Sequence, residues 1–360
     1  MIQYFSAQEL FTGKHWFSEV VIEVVDGKIG KIHKEGYEAK NAYPLIVPAL
    51  IDLQIYGAEE KLLSIYPEVD TIEKIYTYCL QGGAAYFMPT IASESNEVIL
   101  QSIEAVKAYM KKGGRGCLGL HIEGPWINVV KKGAHNENII HAPSVEEVEK
   151  IIEAGKGYIG MVTVAPEICD IKIIRLLQEN GIVVSAGHTN ASFEEAMHFF
   201  DGDIKVATHL FNAMSPFSHR APGVVGALFT HKTAMCSLVA DGHHVDFSAI
   251  KIAKQLMGER LFCITDAVTT TTKGQYQHQL VGTKYENTGT LSGSSLTQLK
   301  SVNNLVNEVG LDLGEAIKMC STYPAKVMNR EGINGTIETG APANLLFLST
   351  DRQLLKMVTT

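Results

Sequence analysis

The sequence has little positive charge, and this excludes one class of partner. It contains 31 Lys and Arg residues against 39 Asp and Glu residues, so its net charge at pH 7 is −8. A nucleic-acid-binding protein needs a basic face to neutralise phosphates. We therefore expect no nucleic-acid partner, and a local group of cations must hold any anionic ligand.

Long apolar runs and cysteine pairs are also missing. No apolar run approaches the roughly 18 residues that a membrane-spanning helix needs, and residues 1–16 lack a basic region followed by an apolar core. The six cysteines form no C-x-x-C motif, and Cys117, Cys236 and Cys263 lie in apolar runs, where a thiol is a small core residue. We therefore expect no membrane association, no signal peptide and a cytoplasmic protein with reduced thiols.

A unit of apolar run, polar turn and helix repeats through the middle of the chain. The eight runs are residues 44–54, 84–90, 116–124, 158–167, 181–188, 205–211, 234–242 and 261–267. Helical patterns occupy residues 69–81, 96–112, 144–155, 168–179, 191–200 and 246–257. Two of these begin with a capping-box pattern, Ser144 with Glu147 and Ser192 with Glu195, and Gly258 is a stop signal for the last.

This repeat predicts the fold class. Near-continuously apolar strands that alternate with helices indicate a parallel sheet covered on its outer face, and eight such units predict a (β/α)8 barrel. An open doubly wound sheet is the alternative, but the turn after the first strand contains no G-x-G-x-x-G phosphate loop.

Both ends of the chain have a different, β-rich pattern. Residues 20–34 contain two β-rich runs around Asp26-Gly27, which is a strong hairpin signal, and residues 335–360 contain short strands broken by Gly, Pro and Asn. We predict a small β-sandwich domain built from residues 1–44 and 335–360, beside a barrel domain of residues 45–334.

Ionisable side chains collect at the ends of the predicted strands, where a barrel places its catalytic groups. Glu123, His188 and His209 each lie near the end of a run, and two imidazoles with one carboxylate are a common ligand set for catalytic Zn²⁺. A lone strand histidine is more often a hydrogen-bonded core residue, but this combination favours a metal site. Asp266 suits a general base for water, with a carboxylate that caps a turn as the alternative.

Other polar residues carry weaker signals. His135 lies in the loop after the third run and Asn212 in the loop after the sixth. Arg220 suits an anion because its guanidinium fork matches phosphate or carboxylate oxygens, with an ordinary surface arginine as the alternative. His121 lies two residues before Glu123, so we expect it to face the barrel interior without binding metal. We expect the following histidines to be solvated: His15, His33, His141, His198, His231 and His278.

Six stretches together resemble the N-acetylglucosamine-6-phosphate deacetylase family of the amidohydrolase superfamily, over essentially the whole chain. They are LHIEGPWINVVKKGAHN (120–136), SAGHTNA (185–191), THLFNAMSPFSHRAPGVVGA (208–227), VADGHHVD (239–246), ITDA (264–267) and GTLSGSS (289–295). The resemblance implies that Glu123, His188 and His209 bind metal, that Asp266 is the catalytic acid and base, and that His135 stabilises an oxyanion. It places a phosphorylated N-acetyl amino sugar against Ala134, His135, Asn212, Ala213, Arg220, Asp241, Gly242, His243, His244, Leu291, Ser292 and Gly293.

The resemblance further implies a reaction, a cofactor and an assembly. The reaction would convert N-acetylglucosamine 6-phosphate into glucosamine 6-phosphate and acetate. The cofactor would be one divalent metal ion per chain, Zn²⁺ in the first place, with Fe, Co or Mn as alternatives. The assembly would be a homodimer in which Arg220 reaches across the interface to the phosphate.

One position departs from the pattern of this family. Relatives with two metals have His-x-His near the end of the first barrel strand and single-metal relatives have Gln-x-Asn, whereas this chain has Gln54 and Tyr56. An amide and a protonated phenol are not typical ligands of Zn²⁺. We therefore predict a single metal, with Gln54 as a hydrogen-bonding neighbour and Tyr56 either lining the pocket or packing aside.

The sequence leaves two other functions as alternatives. The motifs do not distinguish N-acetylglucosamine 6-phosphate from its galactosamine epimer. The missing His-x-His would suit a non-catalytic amidohydrolase-like binding protein, but the joint retention of Glu123, His188, His209 and Asp266 weighs against that function.

Overall fold

The two largest sheets of the fold have eight and six strands, and the computed structural model describes all residues from 1 to 360. The strands, numbered along the chain, are β1 (Ile2–Phe11), β2 (Trp16–Val25), β3 (Lys28–His33), β4 (Tyr43–Pro48), β5 (Leu50–Ile55), β6 (Gly57–Ala58), β7 (Lys61–Leu62), β8 (Ala84–Ile91), β9 (Leu120–Glu123), β10 (Ile159–Val164), β11 (Val183–Ala186), β12 (Val206–Ala207), β13 (Met235–Val239), β14 (Leu261–Ile264), β15 (Gln279–Val281), β16 (Lys284–Asn287), β17 (Thr290–Ser294), β18 (Leu345–Leu348) and β19 (Leu354–Val358).

The eight-stranded sheet is the predicted barrel. Its order is β14-β13-β12-β11-β10-β9-β8-β5, and every neighbouring pair is parallel. A parallel bridge between Ile55 and Ala267 joins the chain after β14 to β5, so the first and last strands meet. Strands such as β13 are buried along their whole length because helices cover the outer face and side chains fill the interior.

The first predicted run is two strands rather than one. Residues 44–54 divide at Ala49, with β4 in the six-stranded sheet and β5 in the barrel. Both strands are apolar, so the pattern shows no boundary between them. Pro48 is the one local signal, because proline has no N–H with which to continue a ladder.

The six-stranded sheet unites the two ends of the chain in the order β19-β18-β4-β1-β2-β3. The predicted hairpin at Asp26-Gly27 is confirmed: Val25 pairs with Lys28, and both turn residues have positive φ, at 48° and 76°. Because β4 extends to Pro48, the sheet continues past the predicted boundary at residue 44. The division into two domains at 44 and 335 stays a prediction.

The helices follow the predicted pattern with three additions. They are α1 (Val69–Gln81), α2 (Asn96–Lys111), α3 (Val145–Gly155), α4 (Ile171–Glu179), α5 (Phe193–Asp201), α6 (Gly223–Thr230), α7 (Phe247–Met257), α8 (Gln298–Asn307), α9 (Leu313–Cys320) and α10 (Thr322–Met328). The six predicted helical patterns correspond to α1 to α5 and α7. The small hydroxyl and glycine residues of 290–300 also predict a helix after them, where α8 lies, but sequence reasoning missed α6, α9 and α10. Almost all of α6 is buried, so it has no polar face to mark its periodicity.

The helix ends agree with prediction except at one cap. Ser192 and Glu195 form the reciprocal capping box, and Gly258 ends α7 with φ of 57°. Ser144 accepts a hydrogen bond from the backbone N–H of Glu147, but the carboxylate of Glu147 binds the indole Nε1 of Trp126 instead of closing the box. The second capping box is therefore only half formed.

The structure also bears on the predictions for the cysteines, for His231 and for membrane-spanning helices. Cys117, Cys236 and Cys263 are buried, as predicted, and all six cysteines are free thiols. His231 is buried instead of solvated, because its Nδ1 accepts the backbone N–H groups of Thr233 and Ala234 after α6. None of the helices is both long enough and apolar enough to cross a bilayer.

Candidate active site

Four ionisable residues converge at the carboxyl ends of the barrel strands. Glu123 is the last residue of β9, and His188, His209 and Asp266 each lie two residues beyond β11, β12 and β14. These last three share a left-handed backbone, with φ of 47°, 41° and 54°. This conformation is uncommon outside glycine, and such residues cluster at functional sites. The sequence periodicity had predicted the strand ends but not this turn.

Glu123, His188 and His209 have the spacing of metal ligands. Glu123 Oε1 lies 3.0 Å from His209 Nε2 and 3.5 Å from His188 Nε2, and the two Nε2 atoms are 3.1 Å apart. Bonds of about 2.0–2.2 Å in a tetrahedral Zn²⁺ site set ligand atoms roughly 3.3 Å apart. All three residues are buried. The separations therefore fit one small divalent cation.

The backbone partners of the two imidazoles determine which nitrogen is free. His188 Nδ1 lies 2.8 Å from the carbonyl of Lys131, and His209 Nδ1 lies 3.1 Å from the carbonyl of Asn212. A carbonyl only accepts, so each Nδ1 carries the hydrogen and each neutral ring presents its Nε2 lone pair to the centre. Two lone pairs that face each other at 3.1 Å are favourable only with positive charge between them.

His135 belongs to an overlapping group, because its ligand atom lies within 4.8 Å of those of Glu123 and His188. Its hydrogen bonding is the reverse, however. His135 Nδ1 accepts the backbone N–H of Ser93 at 3.2 Å, so the hydrogen of the neutral ring is on Nε2, which lies 3.3 Å from Glu123 Oε2. His135 therefore presents a hydrogen-bond donor to this pocket, whereas His209 presents an Nε2 lone pair 3.1 Å from that of His188.

The surroundings of Glu123 and Asp266 shift the pKa values of these two residues in opposite directions. Burial favours the neutral form of Glu123, but His188, His135 and His209 outweigh it and hold the pKa of Glu123 well below its ordinary value. Burial raises the pKa of Asp266, and the nearby His244 offsets part of this increase. Glu123 thus stays an anion suited to a cation, whereas Asp266 is shifted towards the range of a general base.

Asp266 is held in place by two neighbours. Its Oδ1 accepts a hydrogen bond from Gln54 Nε2 at 2.8 Å, and its Oδ2 lies 3.7 Å from His244 Nε2. His244 is fixed in turn by Asp241, whose Oδ2 lies 2.6 Å from His244 Nδ1. The predicted role of Gln54 as a hydrogen-bonding neighbour agrees with this geometry.

One pocket contains the converging residues and most of the predicted substrate contacts. Its wall includes Glu123, His188, His209, Asp266, Ala134, His135, Asn212, Ala213, His244, Leu291, Ser292 and Gly293. The pocket encloses about 850 Å³ of space, open solvent included.

Four predicted substrate residues do not line this pocket. Asp241 supports His244 from behind, Gly242 lies in the adjoining turn with φ of 77°, and His243 Nε2 lies 2.7 Å from the hydroxyl of Thr283. Arg220 is exposed on the loop before α6. The wall contains no Lys or Arg from the same chain.

Sequence reasoning missed part of the wall. His278, predicted to be solvated, is 4% exposed, and its Nδ1 lies 2.9 Å from the hydroxyl of Ser292. Burial lowers the pKa of His278 to about 4. Tyr276 and Val268 also line the pocket. The small sheet of β15 to β17 follows β14 and contributes the predicted contacts Leu291, Ser292 and Gly293 to the wall, although the sheet itself was not predicted.

His121 was expected to face the barrel interior without binding metal, and its contacts agree with this expectation. It is fully buried, its Nδ1 lies 3.0 Å from the carbonyl of Leu53, and its Nε2 lies 2.8 Å from the hydroxyl of Thr163. Burial lowers its pKa to about 4. Both ring nitrogens have partners, so neither is available to a ligand.

Comparison with known proteins agrees with this fold. The amidohydrolase family matches residues 45–359. The chain belongs to this family. The family resemblance expected from the motifs is thereby confirmed, and this amidohydrolase is an amide hydrolase.

Individual relatives of this amidohydrolase carry more specific names. It is 32% identical to N-acetylglucosamine-6-phosphate deacetylase of Haemophilus influenzae, over 87% of the chain and 84% of that relative. It is 28% identical to N-acetylgalactosamine-6-phosphate deacetylase of Escherichia coli O157:H7, over 96% of the chain and 94% of that relative. The crystal structure of N-acetylglucosamine-6-phosphate deacetylase from Pasteurella multocida superimposes with a TM-score of 0.92 at 30% identity, covering 100% of this chain and 98% of that one.

Proposed function

We propose that this amidohydrolase deacetylates N-acetylglucosamine 6-phosphate, with glucosamine 6-phosphate and acetate as products. The observation that carries the proposal is the convergence, in one pocket, of two Nε2 lone pairs, one carboxylate anion, one N–H donor and one carboxylate of raised pKa. Relatives named for this activity cover most of the chain and supply the substrate class.

Glu123, His188 and His209 are proposed to hold one divalent cation per chain. Zn²⁺ suits this set of two imidazoles and one carboxylate, with Fe, Co and Mn as alternatives. A cation held there supplies a Lewis acid that polarises the amide carbonyl and makes water a stronger acid. The backbone carbonyls of Lys131 and Asn212 fix the ring orientation of both histidines.

The other residues then have separate tasks. His135 Nε2–H is a donor for the negative charge that develops on the carbonyl oxygen. Asp266 takes a proton from the attacking water and returns it to the departing amine, because an amide nitrogen leaves poorly without one. Gln54 holds Asp266 Oδ1 at 2.8 Å, which leaves Oδ2 for the proton transfer.

The phosphate of the substrate requires a cation, and we propose that a second copy of the chain supplies it. Arg220 is exposed, forms no ion pair within its own chain and lies outside the pocket wall. A homodimer in which Arg220 of one copy faces the pocket of the other would complete the site. The reaction is proposed to take place in the cytoplasm.

The galactosamine epimer is a second candidate substrate, since a relative named for it covers nearly the whole chain. The two epimers differ only in the configuration of one hydroxyl, so an enzyme that discriminates between them must recognise the position of that hydroxyl. A non-catalytic binding protein is not favoured, because such a protein has no need to bring Glu123, His188, His209 and Asp266 together in one pocket.

The test is product release by purified protein. Chelated protein reloaded with Zn²⁺ is incubated separately with each epimer, and acetate and free amine are measured. We expect equimolar acetate and amine, with the higher kcat/KM for the glucosamine epimer. Asp266→Asn protein, prepared identically, controls for a contaminating deacetylase. Equal release by wild type and this variant, or none by either, would refute the proposed activity, and a preference for the other epimer would favour the second candidate.

A further inference from the structure

We infer that Tyr56 is a positioning residue that fixes which oxygen of Glu123 faces the cation and closes the place where a second cation would bind. The inference rests on the proposed metal site. It assigns a function to the residue at which this chain departs from both the His-x-His and the Gln-x-Asn patterns.

The hydrogen-bond direction at Tyr56 follows from its partners. Gln54 Nε2 lies 2.6 Å from the Tyr56 hydroxyl, and an amide N–H only donates, so the phenol oxygen accepts there. The phenol then donates its own hydrogen to Glu123 Oε2, with which it makes a short contact. Gln54 Nε2 also lies 3.1 Å from Glu123 Oε1 and 2.8 Å from Asp266 Oδ1. Tyr56 and Gln54 therefore connect the ligand to the general base.

This arrangement gives the two oxygens of Glu123 different surroundings. Oε2 faces two donors, the Tyr56 hydroxyl and the Nε2–H of His135 at 3.3 Å. Oε1 faces the free Nε2 atoms of His209 and His188, and the Gln54 amide, whose two hydrogens are directed at Tyr56 and Asp266 at shorter distances, lies 3.1 Å away. The terminal torsion of a glutamate is otherwise broad, so these donors determine that Oε1 alone points at the cation.

The same phenol closes the neighbouring position to a second cation. A second cation beside the first would use Glu123 Oε2, which the Tyr56 hydroxyl already occupies. The ring lies in a small apolar cluster with Leu62, Val268, Tyr276 and Tyr285. The cluster holds the ring in place, and its aliphatic and aromatic carbons offer no ligands to a metal ion.

The experiment separates the hydroxyl from the ring. Tyr56→Phe keeps the aromatic packing and removes only the O–H. Tyr285→Phe is the matched control, because this substitution also removes one phenol hydroxyl. Tyr285 is equally buried in the same cluster and does not line the pocket. Each chelated full-length protein is titrated with Co²⁺ and followed by its absorption spectrum, and circular dichroism verifies folding.

We expect wild type and Tyr285→Phe to bind one equivalent with the same affinity, and Tyr56→Phe to bind roughly 10- to 100-fold more weakly, the range for loss of a group that orients a ligand. Wild-type affinity in Tyr56→Phe would overturn the positioning role while leaving the proposed metal site intact. Absence of binding by the wild type would overturn both.

A second variant tests the closed position and does not depend on how well Tyr56→Phe folds. The double variant Gln54→His, Tyr56→His restores the His-x-His pair of imidazoles. We expect it to bind two equivalents of Co²⁺ or Zn²⁺ by elemental analysis, against one for the wild type. A single equivalent in the double variant would overturn the claim that these two side chains exclude the second cation.

Discussion

His188 Nε2 and His209 Nε2 lie 3.1 Å apart, and each ring directs its Nδ1–H at a backbone carbonyl. His135, only 4.4 Å from His188 between ring centroids, has its Nδ1 turned to a backbone N–H instead. Three neighbouring imidazoles therefore divide into two that present an Nε2 lone pair to the centre and one that presents an Nε2–H. The backbone around them makes the division.

These tautomers predict that substitution of His209 removes metal binding, whereas substitution of His135 lowers turnover. His209→Ala should abolish stoichiometric metal binding, because it removes a ligand. His135→Ala should keep one metal per chain and lower kcat by about 10²–10³, the range for loss of an oxyanion donor. Elemental analysis and steady-state kinetics on both variants check this. Loss of metal from His135→Ala would show that His135 is a ligand.

Asp266 provides a prediction about turnover and pH. Asp266→Asn should keep the metal and reduce kcat by about 10² or more. Because burial raises the pKa of Asp266 and only the ionised form accepts a proton, activity should decline as pH falls through a value above the ordinary 3.9 or so for aspartate. The variant should lack that acidic limb. A pH profile of kcat/KM that is unchanged in shape would remove Asp266 from the mechanism.

Arg220 should act on the phosphate alone. Arg220→Ala should raise KM for the phosphorylated sugar by ten- to a hundredfold, since a charge-assisted contact contributes roughly 1.5–3 kcal/mol. Unphosphorylated N-acetylglucosamine, a poor substrate, should be almost unaffected. Arg175→Ala, at an exposed arginine of α4 paired with Asp203, is the control. Equal losses with both sugars would make Arg220 structural.

The buried carboxylate of Asp52 should make the free energy of unfolding depend on pH. Its carboxylate accepts the N–H and hydroxyl of Thr265, yet burial raises its pKa to about 6, against about 3.9 in the unfolded chain. The folded chain therefore binds a proton at Asp52 more tightly than the unfolded chain does. This difference in proton binding adds to the free energy of unfolding below about pH 4, and the addition is lost as pH rises through about 6. The loss is at most about 3 kcal/mol.

Urea unfolding of the metal-free protein between pH 4 and 7 measures this contribution. Asp52→Asn removes the titration, so its free energy of unfolding should fall less steeply than that of the wild type across this interval. Parallel curves for the two proteins would show that Asp52 has an ordinary pKa in the folded state.

The sequence by itself determined the barrel and the position of its site. Alternation of apolar runs with helices is a local property, and parallel strands carry their carboxyl ends to one rim, so Glu123, His188, His209 and Asp266 were predictable from their places at or just beyond those ends. The same reasoning failed where one apolar run served two sheets, at residues 44–54, because burial looks alike in both.

Only the tertiary structure decided what each of these groups does. The tautomer of His135 depends on Ser93, 42 residues away, and the orientation of Glu123 depends on Tyr56, 67 residues away. His278 was predicted to be solvated and is buried, because the chain around it forms part of the pocket wall. The hydrophobic pattern of the sequence indicates which side chains face inward. The direction of each hydrogen bond depends on groups that come into contact only when the barrel closes.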